Sequence, residues 1–280
     1  MLIYPNAKIN IGLRITEKRR DGYHNLETIF YPIPLMDGLE FTNVEPTAAA
    51  EGGCRLRVQG NILDGGPADN LVVRAYELLR RDFPEQVQPL AVHLFKHIPT
   101  GAGLGGGSSD AAFTLRAMNE RFELGLSREQ LAKYAAQIGA DCPFFIYNTP
   151  MLAHGIGDQL TPVDLSLAGK VVIVVKPEVS VSTKDAYAGI TPRQPETSLA
   201  ELVKAPVEQW KDTVVNDFEA GICAHYPEIA AIKDRLYDLG ALYAAMSGSG
   251  SSVYGLFNEP VKYVDDIFTG YYCRQRSLEL

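Results

Sequence analysis

Between Pro99 and Asp110 the chain reads Pro99-Thr100-Gly101-Ala102-Gly103-Leu104-Gly105-Gly106-Gly107-Ser108-Ser109-Asp110. Glycine at this density permits positive φ and lets a bulky anion come close to the backbone. A helical pattern follows at once, with Ala111, Ala112, Leu115 and Met118 as its apolar stripe and Ser108, Ser109 or Asp110 as the expected N-cap. Loop amides and the positive end of a helix together make a cradle for a polyphosphate.

Two more residues have the right types for phosphoryl chemistry. Asp141 follows a helical pattern and precedes Cys142-Pro143, a place suited to a carboxylate that takes a hydroxyl proton. An aspartate that merely caps a turn is the competing reading. Lys8 and Asn10 alternate with Ile9, Ile11, Leu13 and Ile15, so both project from the polar face of a half-buried strand. A lysine there can keep a carboxylate ionised and stabilise a transferring phosphoryl group, although such lysines more often face water.

Several phosphate-binding classes are excluded by spacing. A Walker A loop needs a lysine where Gly107 runs into Ser108. Gly101, Gly103 and Gly106 match a dinucleotide fingerprint, but a second helical pattern from Ser127 stands where that fold requires a strand. The Val-Ala-Ile-Lys, His-Arg-Asp and Asp-Phe-Gly signatures of protein kinases are missing.

The elements that must position these residues can be read in outline. Asp21-Gly22 marks a turn, Leu26 to Ile33 a second strand, and residues 7–33 the start of an antiparallel sheet. Asn70 to Arg81 has helical spacing, Leu90 to Ile98 reads as a strand, and Ser127 with Gln130 forms a capping box for a helix that ends near Gly139. Pro143 is expected to stop further helix. The pattern loosens from Gly157 to Asp164, and a strand run begins at Lys170. Ile229, Ile232, Leu236 and Leu239 trace a helix stopped by Gly240, and Met246 to Ser252 opens into a strand from Val253 to Phe257. Strands and helices mix without a regular βαβ rhythm, which gives an α+β class. The expected domains are 1–160 and 161–280.

Composition narrows the partners. The chain has 280 residues, 46% of them hydrophobic, with a formal net charge of −8, which argues against nucleic acid and anionic membranes as partners. No apolar run is long enough to span a bilayer, and no signal peptide is read at Met1 to Asn6. Cys54, Cys142, Cys223 and Cys273 are widely spaced, as in a reduced, cytoplasmic protein without a zinc or disulfide framework.

Taken together, Pro99 to Ala112, Met246 to Phe257 and Lys8-Ile9-Asn10 resemble the three motifs of the GHMP kinases, the superfamily of galactokinase, homoserine kinase and mevalonate kinase. Gly22-Tyr23-His24 and Gly139-Ala140-Asp141-Cys142-Pro143-Phe144-Phe145 narrow the resemblance to members acting on a cytidine diphosphate-linked polyol. It implies a two-domain α+β fold, with an N-terminal domain like ribosomal protein S5 domain 2 and a ferredoxin-like C-terminal domain. The implied reaction is phosphorylation of a methylerythritol 2-hydroxyl by ATP and Mg²⁺, in isoprenoid precursor synthesis.

The resemblance also carries site residues. Asp141 is implied as base and Lys8 as its catalytic partner. Asn70, Lys96 and the run from Pro99 and Thr100 through Gly101, Ala102, Gly103, Leu104, Gly105, Gly106, Gly107 and Ser108 to Ser109 are implied on the ATP side. Tyr23 and His24 are implied to hold the cytosine, Tyr187 to close its other face, and Thr183 and Asn10 to face the substrate. No protein ligand of the metal and no oligomeric state is implied. Asp110 is expected only to cap the helix, His154 to lie at the surface, and Gly189 to Trp210 to form a variable loop. Another GHMP kinase such as homoserine kinase, a non-catalytic nucleotide-binding regulator and a dehydrogenase are the alternatives. The first leaves Tyr23, His24 and Tyr187 unexplained, and the second leaves Lys8 and Asp141 unused.

Overall fold

A computed structural model describes residues 1–44, 53–61 and 69–279. Among these, the strands in chain order are β1 (Leu2–Ile3), β2 (Asn6–Lys18), β3 (His24–Met36), β4 (Gly38–Asn43), β5 (Cys54–Gly60), β6 (Leu90–Lys96), β7 (Met151–His154), β8 (Gln159–Pro162), β9 (Val171–Lys176), β10 (Tyr243–Met246), β11 (Val253–Phe257) and β12 (Tyr272–Ser277). Contacts gather the chain into two compact units. The first comprises Met1–Ala7, Leu35–Thr100 and Gly105–Asn148; the second comprises Lys8–Pro34, Gly101–Leu104 and Thr149–Leu280. These units interleave over the first 148 residues.

In the first unit a sheet of order β1-β4-β6-β5 pairs β4 with β6 antiparallel and β5 with β6 parallel. Burial alternates along β6, with Val92 and Leu94 inward, as the period of a pleated strand requires. The helices Leu71–Asp82 and Gly106–Arg121 pack on each other. The first buries Val72, Ala75 and Leu79, and the second Ala111, Ala112, Leu115 and Met118. The capping box at Ser127 makes both of its hydrogen bonds and starts the helix Arg128–Ala136.

Two expectations about helix ends are corrected here. The helix after the glycine loop begins at Gly106, and its N-cap is Gly105 at φ 70° with no side-chain cap bond. Ser108, Ser109 and Asp110 therefore lie inside the first turns. Glycine reaches a left-handed conformation at little cost, so the chain turns into the helix earlier than a Ser or Asp cap would set it. Pro143, expected to stop helix, sits in the first turn of a new one, Cys142–Tyr147. A proline needs no N–H there and supplies a suitable φ.

The second unit holds the sheets β2-β3-β7-β8 and β10-β11-β9-β12, the latter antiparallel throughout. The helix Pro227–Asp238 packs on β10 and β11 and buries Ile229, Ile232 and Leu236. Gly240 follows its end at φ 93°. The loosened stretch near residue 160 contains β8, paired with β7.

Part of the segment expected as a variable loop, 189–210, is ordered and packed. It forms a short helix, Leu199–Leu202, and buries Leu199 and Trp210. Leu199 N donates to Glu27 Oε1 at 3.1 Å. Gly12 in β2 has φ 65°, and a Cβ there would lie 2.7 Å from Leu199 Cδ2. Only glycine lets the strand pass so close to this leucine.

Candidate active site

The second unit brings three separated segments into one polar cluster. Lys8 and Asn10, read as the polar face of a half-buried strand, are each only 3% exposed. The polar face of β2 is therefore covered and not solvated, and its groups need partners inside the protein. Lys8 Nζ donates to Asn10 Oδ1 and, at 3.1 Å, to the Gly103 carbonyl, and it lies 5.0 Å from the centre of the Phe30 ring. Asn10 N donates to Ser247 Oγ at 3.1 Å, and Ser247 Oγ donates to Gly103 O at 2.8 Å. Asn10 Nδ2 donates to Thr28 Oγ1 at 3.0 Å, and the Tyr254 hydroxyl to Asn10 O at 2.9 Å.

The glycine segment is fitted closely into this cluster. Gly103 has φ 74°, and a Cβ on it would lie 1.9 Å from Ser247 O. Lys8 N donates to Leu104 O at 3.0 Å, which binds the strand to the loop. The Ser247 to Ser252 turn is held in its own right, because Asn216 Nδ2 donates to Met246 O and Gly248 O, each at 2.8 Å. Gly101, Gly103 and Gly105 all have positive φ, alternating with residues that do not. Such alternation turns successive N–H groups toward one side, as an anion site requires.

In the first unit Asn70 caps the helix Leu71–Asp82 by accepting from Val72 N at 2.9 Å. Lys96, implied on the ATP side, is 1% exposed, and its ammonium pairs with Asp37 Oδ2 and, at 2.9 Å, with Asp110 Oδ2. Asp37 Oδ1 accepts from His97 N at 2.6 Å and Ile98 N at 2.8 Å. Asp110, expected as a helix cap, is thus an ion-pair partner inside the fold. Burial pushes its carboxyl up to about 8, with Lys96 pulling it down and Asp37 pushing it up. Burial lowers the Lys96 pKa, but Asp110 and Asp37 outweigh that and leave it raised.

Asp141 stands before the helix Cys142–Tyr147 in right-handed conformation and makes no side-chain cap bond to it. Beside it the Cys142 thiol is pushed up to about 12 by burial, partly offset by a hydrogen bond with Ser108. That bond places the start of the helix Gly106–Arg121 next to the residue following Asp141.

On the second unit's surface, Tyr23 is 63% exposed at the Asp21–Gly22 turn, its N–H donating to Asp21 Oδ1 at 3.1 Å. His24 and Tyr187 stack on each other with centroids 4.8 Å apart and planes 22° from parallel. A base between two rings needs about 7 Å, twice a van der Waals contact. Tyr187 therefore covers His24 directly rather than facing it across a gap, and it also meets Phe218 edge-on at 4.9 Å. Thr183 opens the helix Thr183–Tyr187, capped by Ser182, and is exposed. His154 is half-buried at the end of β7, opposite Gln159.

A cavity of about 1000 Å³ beside Ala186, Ile190 and Ile222 and one of about 470 Å³ beside Arg14 and Thr213 are lined by neither Lys8, Asn10, Tyr23 nor His24. Among the described residues no group of three or more His, Cys, Asp or Glu is placed to hold a metal ion, and no helix is long and apolar enough to cross a membrane.

Sequence reasoning missed Asp37, Thr28, Asn216 and Tyr254. Met36-Asp37-Gly38 reads only as a turn, and nothing local marks Asn216. Ser247 lies in the second glycine-rich run, which gave a signal for the segment but not for the residue.

A helix-capped glycine loop, a buried Lys-Asn strand and a second glycine turn packed on it are the parts of a GHMP kinase. The family model for the GHMP kinases N terminal domain matches residues 70–149, and that for the GHMP kinases C terminal matches 200–262. The chain is 52% identical to 4-diphosphocytidyl-2-C-methyl-D-erythritol kinase of Bacteroides fragilis, covering 100% of both, and 54% identical to that of Bacteroides thetaiotaomicron, covering 92% of both. A crystal structure of 4-(cytidine 5'-diphospho)-2C-methyl-D-erythritol kinase matches with a TM-score of 0.82 at 29% identity, covering 99% of each chain. Homoserine kinase from Cytophaga hutchinsonii shares the fold, with a TM-score of 0.66 at 18% identity over 98% of this chain and 95% of that one. The chain belongs to the 4-diphosphocytidyl-2-C-methyl-D-erythritol kinase family.

Proposed function

We propose that the protein transfers the γ-phosphoryl group of ATP to the 2-hydroxyl of 4-diphosphocytidyl-2-C-methyl-D-erythritol, giving the 2-phosphate and ADP. This is a step in the methylerythritol phosphate route to isoprenoid precursors. The observation that carries the reading is the cluster of Lys8, Asn10, Gly103 and Ser247, which ties the N-terminal strand and both glycine turns together by hydrogen bonds. The full-length identity to kinases named for this substrate supports it.

In this reading Asp141 takes the proton of the 2-hydroxyl as it attacks, and the Lys8 ammonium stabilises charge on the phosphoryl group in flight. Phosphoryl transfer depends mostly on alignment, so the orientation of Lys8 by Asn10 and Gly103 matters as much as its charge. The amides of Gly101 to Ser109 hold the phosphates, with Pro99 and Thr100 leading into them, and Asn70 fixes the neighbouring helix. ATP enters as its magnesium complex, whose metal takes its ligands mainly from phosphate oxygens and water. The exposed Tyr23 ring stacks on the cytosine and His24 meets its polar edge. Tyr187 keeps the imidazole in place from behind, and Asn10 and Thr183 face the acceptor.

The reading includes a cytoplasmic location and a division into segments 1–160 and 161–280. A homoserine kinase activity would leave Tyr23 and His24 without a ligand. The test is ADP release by purified protein with Mg²⁺ and ATP, offering diphosphocytidyl-methylerythritol, homoserine, mevalonate and galactose in parallel. Turnover with the cytidine substrate alone is expected. Turnover with a different alcohol would overturn the cytosine site, and ATP binding without turnover on any of the four would favour a regulator.

A further inference from the structure

We propose that Asp37, Lys96 and Asp110 form a buried clamp that positions the nucleotide-binding turn, by tying the end of β6 to the first turns of the helix Gly106–Arg121. The inference rests on reading that turn as the polyphosphate cradle. Asp37 Oδ1 accepts from His97 N and Ile98 N, the two residues that carry the chain out of β6 toward Pro99. Its other oxygen accepts from Lys96 Nζ, which also donates at 2.9 Å to Asp110 Oδ2 on the helix. One lysine thus joins the strand exit to the helix start, and one carboxylate holds three successive residues of the exit, Lys96 to Ile98.

Gly106 shows how closely the helix start rests on this clamp. A Cβ there would lie 3.0 Å from Lys96 Nζ and 2.9 Å from Ile98 Cγ2. The first backbone bond into the helix is Ser109 N to Gly105 O, so the N–H groups of Gly106, Gly107 and Ser108 precede the helical ladder and are the ones an anion would take. Their aim is set by the start of this helix, and donors aimed before the ligand arrives need no reorganisation when it binds.

Stability alone is a weak reason for such a group of charges. Asp37, Lys96 and Asp110 are 1%, 1% and 2% exposed, and a well-packed apolar trio commonly serves a fold as well or better. What charged, directional bonds add is a fixed orientation. The clamp also avoids setting a net negative charge under a polyphosphate. Asp110 Oδ1 is buried with no hydrogen-bond partner, a position that favours a neutral carboxyl. The trio then reduces to one cation and one anion, in agreement with the upward shift of Asp110.

The test compares Asp110→Ala with Asp110→Asn, reading nucleotide affinity with a non-hydrolysable ATP analogue and Mg²⁺ in the absence of acceptor. The alanine cuts the strand-to-helix link but leaves the Asp37–Lys96 pair and both Asp37 backbone bonds intact. The asparagine keeps an oxygen to accept from Lys96. Asp110→Ala should weaken the analogue about tenfold, as small misplacements of binding groups do, and leave the KM of the cytidine substrate alone. Asp110→Asn should recover most of the affinity. Circular dichroism and thermal melts identify folded variants; should Asp110→Ala fail to fold, Asp110→Ser, which also lacks an acceptor long enough to reach Lys96, takes its place. Wild-type affinity in the alanine or serine variant, no recovery with asparagine, or equal losses for nucleotide and cytidine substrate would each overturn the clamp. Failure of the proposed reaction would show separately, as a wild type that binds the analogue but does not turn over the cytidine substrate.

Discussion

Lys8 and Lys96 are both buried lysines, each on a strand and each bonded to the structure around the glycine motifs, yet they belong to different units and tie different segments together. Lys96 donates to two carboxylates, so its charge is used up inside the first unit. Within the second unit Lys8 donates to an amide oxygen and a carbonyl and lies over a phenyl ring. Such dipoles orient an ammonium. Burial therefore does not by itself separate a lysine proposed for catalysis from one that holds the fold; the segments each lysine ties together do.

The comparison is tested most severely by exchanging the consequences of losing each charge. Lys8→Met should cut kcat by about 10³-fold, the scale of removing an electrostatic or proton-transfer partner. The loss should appear in protein that circular dichroism shows to be folded. Lys96→Met should do the reverse. It strands Asp37 and Asp110 in the interior, a loss of about 3–5 kcal/mol in urea unfolding, while the enzyme that remains folded keeps most of its kcat at saturating ATP. A Lys96→Met protein that melts like wild type, or a Lys8→Met protein that turns over like it, would erase the distinction.

A second measurement sharpens the distinction through pH. Asp110 loses its proton near 3.8 in the unfolded chain but near 8 in the fold, so across that window the folded state binds the extra proton. Stability must then fall as pH rises from about 4 to about 8 and level off above it, with a limiting slope of about 1.4 kcal/mol per pH unit. Asp110→Asn should remove this component, which urea titrations at pH 5, 6.5 and 8 would reveal as a flatter profile than that of wild type. Equal slopes in the two proteins would mean that Asp110 is ionised in the fold and that the trio carries net charge.

The same contrast explains what could be read in the sequence. The glycine loop, the Ser127 capping box and β11 were legible because each is specified by neighbours a few residues apart. Lys8, Asn10 and Asp141 were legible as residue types, and their family motifs gave them roles. The burial of Lys8 was not, since alternation distinguishes two faces of β2 but not what covers each. Asp37 was silent because its partner lies 59 residues away. The helix start was misplaced because the pattern of Ser108, Ser109 and Asp110 suggests a cap, whereas the left-handed Gly105 sets the boundary. The Tyr187–His24 stack depends on a meeting of β3 with a five-residue helix, which no local period encodes.

That stack supplies the smallest expected effect, and it separates the acceptor side from the nucleotide side. Tyr23→Ala removes an exposed ring that makes no stacking contact with His24 or Tyr187, so the fold should tolerate it with a change below about 0.5 kcal/mol. Losing one base-stacking face costs about 1–3 kcal/mol, which sets a rise of about tenfold in the KM for the cytidine substrate and none in that for ATP. Tyr187→Ala should raise the same KM by less, because in this arrangement it acts through the orientation of His24 and His24 keeps its polar edge. If Tyr187→Ala proved the more damaging of the two, the ring would have to face the base itself. His24 and Tyr187 would then part on binding, and the 4.8 Å stack would be the ligand-free arrangement of a sandwich.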